Sequence, residues 1–352
     1  MGVTSASLVV GDWPPEGLER VGSCPACGDT RRFLLYAHLT DRSYRSAPGR
    51  WSLVECERCS CAYLDPRPTR DTAALAYRTY YDGVTEPQSD SLQPAGRRLR
   101  RALRNGYLNS RYGYSARPAA GIGRFVVPLL PRYRELADMH VRHLRLPDRG
   151  PTLLDIGCGE GEFLAELHSL GWSVEGIDPS EAAVAVAQAR GVRATSGTFG
   201  DVSLEAGSFD AITFRLVFEH IGDPVVALAK CRNALRSRGI LWIATPSLDS
   251  EAHRVFARDW IHLEPPRHAV LYTRRSLTRL LGESGFDVVS VKPLRQARWS
   301  FRLSAALANG LSPFEYAPPL SRQAAARAAF ADLQALRRPE KADVIVTVAR
   351  AR

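Results

Sequence analysis

The chain has 352 residues, 45% hydrophobic and 24% charged; that excludes a largely disordered chain and predicts two units, or one unit with large additions, around a sizeable core. A formal net charge of +10 raises nucleic acid or an acidic membrane as partners, but of 47 basic residues only Lys230, Lys292 and Lys341 are lysine, which reads as a coding bias and disfavours nucleic acid. No apolar run approaches the roughly 18 residues that span a bilayer, and the opening MGVTSASLVVGDWPPEG has neither a basic start nor a sustained apolar stretch, so the cytoplasm is the expected compartment.

Seven cysteines are an odd number, and in a reducing compartment they favour metal or free thiols over a disulfide framework. Five lie in residues 1–68, read as a zinc-ribbon-like module. Cys24-Pro-Ala-Cys27 and Cys56-Glu-Arg-Cys59 are two knuckles separated by 28 residues, offering four thiolates to one tetrahedral, structural zinc ion that would staple a segment too short to build its own core. Unliganded buried thiols are the alternative, and Cys61 is close enough to replace a ligand. Residues 69–148 read as a helical, arginine-rich connector. Its run GRRLRRALRNGYLNSRYGYSAR mixes arginine with tyrosine as an RNA-contacting surface would, but Leu99, Leu103 and Tyr107 recur at helical spacing and predict one buried stripe under a solvated basic face. The same face suits a phosphorylated or nucleotide-linked substrate.

From Thr152 short β-rich runs alternate with amphipathic helices, the pattern of a parallel sheet built from βαβ units. Strands are predicted at TLLDI, SVEGID, VRAT, DAITF, ILWIATP, FDVVSV and DVIVTVA. Helices are predicted over 162–170, 181–190, 224–235 and 276–283, with Gly171, Gly191, Gly239 and Gly285 just past their ends as caps. The fold class is therefore α/β: a doubly wound, seven-stranded Rossmann-like sheet over 149–352, preceded by the small zinc-binding module and the connector. The Ala-rich segment 298–340, between the last two strands, is expected to be helical and to cover a cleft as a lid.

The stretch LLDIGCGEGEFL ends a strand at Asp155, turns through Gly157, Cys158, Gly159 and Gly161, and opens a helix whose first N–H groups lack partners. A dinucleotide fingerprint would place its third glycine where Glu162 stands, which weakens a redox reading. The DxGxGxG pattern resembles motif I of the class I S-adenosylmethionine-dependent methyltransferases. That resemblance implies that Asp155 addresses the methionine ammonium while the glycines admit the cofactor. The following strand ends GIDPS, with Asp178 and Pro179 at its tip; the family likeness gives Asp178 the ribose hydroxyls, whereas a plain reading makes it a helix cap. SGTFGD resembles the adenine-holding turn, with Thr198 and Phe199 near the base, although Phe199 reads equally well as core.

Val217-Phe218-Glu219-His220 resembles the signature after the fourth strand of small-molecule methyltransferases. It implies that Arg215 and Leu216 line the methionine end, and that Glu219 and His220 open the next helix facing the acceptor. Methyl transfer is an in-line displacement, so the protein positions the partners and supplies a base if a hydroxyl is the acceptor. His220 is the candidate base with Glu219 beside it; an architectural role for the pair is the rival reading. In DWIHLEPPRHAVLYTRRSL, His262, Glu264 and His268 are further substrate-facing candidates beside a stiff wall of Trp260 and two prolines. The expected function is O-methylation of a small hydroxylated metabolite, saccharide-like or secondary-metabolite, free, glycosylated or nucleotide-linked. Sugar C-methylation, RNA base methylation and a cofactor-binding scaffold without turnover are the alternatives.

Overall fold

The protein is described by a computed structural model over residues 12–77 and 95–352. Residues 1–11, part of the opening stretch MGVTSASLVVGDWPPEG, and residues 78–94 of the connector lie outside the described residues.

Strands β1 (Arg32–Leu39), β2 (Trp51–Cys56) and β3 (Ala62–Leu64) form an antiparallel sheet. Side chains of β2 alternate between two faces. Trp51 and Leu53 enter one core with Trp13, Leu39 and Trp260, while Val54 and Cys56 enter another with Ile156, Phe214 and Tyr272. Three helices follow, α1 (Ala95–Tyr112), α2 (Gly123–Leu129) and α3 (Pro131–His140). The predicted stripe on α1 needs correcting, since Tyr107 is buried but Leu99 is 60% exposed. The reason is where α2 crosses: a Cβ on Gly123 would lie 2.0 Å from the Leu103 carbonyl oxygen, so the cover begins there and leaves the first turns of α1 bare.

The large sheet contains β4 (Thr152–Ile156), β5 (Ser173–Asp178), β6 (Arg193–Ser196), β7 (Phe209–Arg215) and β8 (Leu235–Pro246). After β9 (Val270–Leu271), which belongs elsewhere, come its last two strands, β10 (Phe286–Leu294) and β11 (Val344–Ala351). The spatial order is β10-β11-β8-β7-β4-β5-β6, and β11 runs antiparallel to both its neighbours. The chain moves outward from β4 to β6 and then returns to β7, so β4 is the switch point where a crevice opens at the carboxyl edge. This is the seven-stranded Rossmann-like sheet expected. Helices α4 (Glu162–Ser169), α5 (Glu181–Ala189), α6 (Pro224–Ala234) and α8 (Arg274–Glu283) join the strands, with α7 (Glu251–Phe256) after β8. Gly171, Gly191 and Gly285 have positive φ past α4, α5 and α8. Gly239 does not cap α6: it lies inside β8, because the chain passes from Ala234 straight into a strand whose register shifts between Leu235 and Ile240.

The N-terminal sheet is completed from outside, for β9 pairs with β3. Helices α9 (Ala297–Ala308) and α10 (Arg322–Ala335) occupy the Ala-rich segment. Their buried residues Phe301, Leu303, Leu307, Ala328 and Ala331 pack in the core that holds Trp51 and Trp260. Among the described residues, no helix is long and apolar enough to cross a membrane.

Candidate active site

The turn after β4 is fixed to β5 by backbone bonds from Gly157 and Cys158 to the Ile177 carbonyl, 2.8 and 3.2 Å. Gly157 has φ +71°, and a Cβ there would stand 2.3 Å from Cγ2 of Val217; the turn therefore touches the segment after β7 and has no room for a side chain. Gly159, with φ +52°, faces open space. In front lies a cavity of about 970 Å³, lined by Asp155, Gly157, Cys158, Gly159, Phe163 and Arg215 together with Met139 and Arg142 from the connector.

Asp155 already has a cationic partner. Both guanidinium nitrogens of Arg142 reach its carboxylate, Nη2 to Oδ2 at 3.1 Å, and the Thr213 hydroxyl donates to Oδ1 at 2.7 Å. Thr213 lies opposite Asp155 across the β4–β7 ladder. The guanidinium stacks 3.6 Å from the centre of Phe163. Both charges are buried, Asp155 at 1% and Arg142 at 4% exposure, and burial pulls the Arg142 guanidinium below its usual range. Sequence reading missed Arg142 because one arginine in an arginine-rich connector carries no signal.

Asp178 accepts from the backbone N–H of Gly159 (2.8 Å, Oδ2) and of Ser180 (2.9 Å, Oδ1), and burial raises its carboxyl above the ordinary value. It thus ties the glycine turn to the start of α5, which Ser180 caps, while Pro179 is exposed between them. Gly161 holds the N-cap position of α4. Thr198 is exposed and donates to Asp201 at 2.5 Å. Phe199 is core, set edge-on to Phe214 at 5.5 Å.

Beyond β7, Leu216 takes φ +55° and Phe218–His220 make a single 3-10 turn. Glu219 and His220 therefore precede α6 rather than open it; the cap of α6 is Asp223, one residue ahead of Pro224. One oxygen of Glu219 and one ring nitrogen each of His220 and His268 lie within 4.8 Å of one another. His220 Nδ1 is 3.0 Å from both the Arg267 carbonyl and the Tyr77 hydroxyl. His268 Nδ1 is 2.7 Å from the His262 carbonyl. A carbonyl only accepts, so each Nδ1 bears the proton and each Nε2 keeps its lone pair. Burial lowers His220 to about 4 and raises Glu219 to about 8, and it holds His268 well below the usual imidazole range.

The loop carrying His268 is braced by the N-terminal sheet. Arg267 pairs with both oxygens of Asp41 at 2.7 and 2.8 Å, and neither side chain is exposed. Asp41 also accepts from the backbone N–H of Tyr44, Ser46 and Ala47. Glu264, 3.7 Å from the Arg267 Nε, is pushed up to about 7 by burial. His262 is buried with no bond at Nε2. Further buried polar groups gather at the carboxyl edge: Glu219 after β7 faces the Thr245 hydroxyl near the end of β8, and Asp343 just before β11, whose Val344 pairs with Pro246, faces Ser300 and Trp260. Tyr77, Asp41 and Arg267 were absent from the sequence reading, since no local pattern relates them to Glu219.

Sγ atoms of Cys24, Cys27, Cys56 and Cys59 lie within 4.8 Å of one another. The Cys24–Cys59 and Cys27–Cys56 separations are 3.7 and 3.5 Å, near the roughly 3.8 Å edge of a tetrahedron with metal–sulfur bonds of about 2.3 Å. Cys61 is 3.2 Å from Cys24, so a fifth thiol adjoins the four. Cys231 is buried in α6 and Cys158 stays in the glycine turn.

Residues 131–291 match a family model described as a methyltransferase domain. Over 161 residues the chain is 34% identical to an uncharacterized 37.1 kDa transposon protein of Streptomyces fradiae, a match that covers 41% of this chain and 46% of that protein. It is 28% identical to the ubiquinone biosynthesis O-methyltransferase of Dinoroseobacter shibae, covering 47% of this chain and 75% of that one. Among solved structures, geranyl diphosphate C-methyltransferase of Streptomyces coelicolor A3(2) is similar with 16% identity and a TM-score of 0.46, over 81% of this chain and 99% of that one. The chain spans about half the length of the first of these relatives and three quarters of the second. Residues 131–291 thus carry a methyltransferase domain, its glycine turn lying at the switch point of a seven-stranded Rossmann-like sheet.

Proposed function

We propose that the protein O-methylates a small hydroxylated metabolite, saccharide-like or of the secondary-metabolite kind. The observation that carries the cofactor half is the Arg142–Asp155 pair beside the glycine turn: a fixed cation next to a fixed anion matches the carboxylate and ammonium of an amino-acid end. Asp178 retains lone pairs for a ribose diol after holding Gly159 and Ser180. Gly159 leaves room for close approach while Gly157 and Gly161 let the turn pack against Val217 and Ala187, Cys158 and Pro179 shape the two turns, Arg215 walls the methionine end, Thr198 flanks the base, and Phe199 backs it from the core. S-adenosylmethionine supplies an electrophilic methyl carbon, so the protein's part is alignment and removal of the acceptor proton.

That second task falls to Glu219, His220 and His268. Both imidazoles are neutral with an available Nε2, the state a proton acceptor requires. The buried polar groups Glu219, Thr245 and Asp343 favour an acceptor rich in hydroxyl groups, which can share hydrogen bonds with them as an apolar one cannot. Cys24, Cys27, Cys56 and Cys59 suit a structural zinc that staples the module away from the chemistry.

The test is transfer of labelled methyl from the cofactor into fractionated metabolites and RNA. Label on oxygen of a small metabolite is expected. Label confined to RNA would replace this reading with an RNA base methyltransferase, label on carbon with a sugar C-methyltransferase, and binding without transfer with a scaffold.

A further inference from the structure

We infer that Glu219, His220 and His268 together hold a divalent transition-metal ion, a second metal site distinct from the cysteine cluster. Three independent features converge there. The donor atoms come from two segments 48 residues apart in sequence and meet within 4.8 Å. Each imidazole gives its Nδ1 proton to a main-chain carbonyl, His220 to Arg267 and His268 to His262, which fixes the tautomer with Nε2 as the donor; metal-ligating histidines are held in this way from behind. Glu219 is fully buried, and among the described residues its carboxyl meets the Thr245 hydroxyl but no cationic side chain. A buried carboxylate without a cationic partner is costly, and a cation removes the cost.

Neighbouring cations do not fill that need. Arg267 is committed to Asp41 and lies 3.7 Å from Glu264, and among the described residues no ion pair is made to Glu219. Two neutral imidazoles and one carboxylate form a borderline donor set, suited to Zn²⁺, Fe²⁺ or Co²⁺ rather than to Mg²⁺ or Ca²⁺. Three protein donors leave positions open, and a hydroxyl bound at one of them becomes more acidic. Ligation through Nε2 takes both histidines out of the proton-accepting role, and the proton of the bound hydroxyl passes to water instead; the site rests on the function proposed above only for its purpose.

The experiment loads the full chain with Co²⁺ after mild chelation, then counts metal per chain by elemental analysis and records the visible spectrum. Two equivalents are expected, one with the intense thiolate-to-cobalt bands of the cysteine cluster and one without them. His268→Gln and Glu219→Gln should each lose only the second equivalent. Parent protein that takes up a single equivalent overturns the inference, as do folded variants that keep both. If the variants fail to fold, the parent's stoichiometry and its spectrum still decide. Calorimetry with S-adenosylhomocysteine on the same samples keeps the two readings apart: nucleoside binding with one metal sinks only the second site, and two metals without nucleoside binding sink only the function proposed above.

Discussion

The crevice at β4 and the buried polar cluster beyond β7 sit on one edge of one sheet, yet they are assembled in different ways. The crevice centres on one contiguous run, Asp155 to Phe163, joined by Met139 and Arg142 from the connector and by Arg215 at the end of β7. The cluster draws on the loop after β1, Tyr77, the turn after β7 and the loop before β9, held together by the buried Asp41–Arg267 pair. A site made of local backbone can be recognised by its residues, whereas one made of long-range contacts is a property of the fold.

Arg142 is the point where this contrast breaks down, and it carries the largest expected effect. Arg142→Met leaves Asp155 buried and unpaired, a defect worth about 3–5 kcal/mol, and should abolish nucleoside binding; a thermal melt within a degree of the parent would show the pair to be dispensable. Asp343 probes a second buried acid at the same edge, beside Ser300 and Trp260. Burial lifts its carboxyl to about 7, so the folded chain holds a proton that the unfolded chain releases near 4. Stability on this account is full below about 4 and is lost as pH rises to about 7, by roughly 4 kcal/mol at 1.36 kcal/mol per unit. Asp343→Asn should flatten that decline in melts taken between pH 4 and 8, and an unchanged slope would remove Asp343 as its source.

Smaller changes sharpen the comparison. Gly157→Ala places a methyl against Val217 at a left-handed φ, expected to cost about 1–3 kcal/mol by denaturant titration. Adding Val217→Ala should recover part of this loss, and no recovery would mean that the backbone conformation dominates. Leu99→Ser lies on the bare end of α1 and should move stability by less than about 0.5 kcal/mol; a larger loss would mean that this face is covered.

The same division explains what could be read beforehand. All seven strands of the large sheet were legible because each is a short β-branched run closed by glycine or a polar turn, and Asp155, Gly157 and Asp178 stand out within it. Gly239 misled because a glycine after a helix usually caps it, and only the β7–β8 ladder shows that the strand has already begun. Leu99 misled because periodicity tells which face is apolar but not how far its partner extends. Arg142, Tyr77 and Asp41 were invisible, since each acquires meaning from a residue 13 or more positions away.

The loan of β9 to the N-terminal sheet has a bearing on protein engineering. A chimera joining the cysteine-bearing segment of one homologue to the sheet of another would leave Tyr63 and Ala62 without their ladder partners Val270 and Leu271, unless the loop from Trp260 to Tyr272 were transplanted with it. The two halves therefore have to be exchanged together if the N-terminal sheet is to keep its fourth strand.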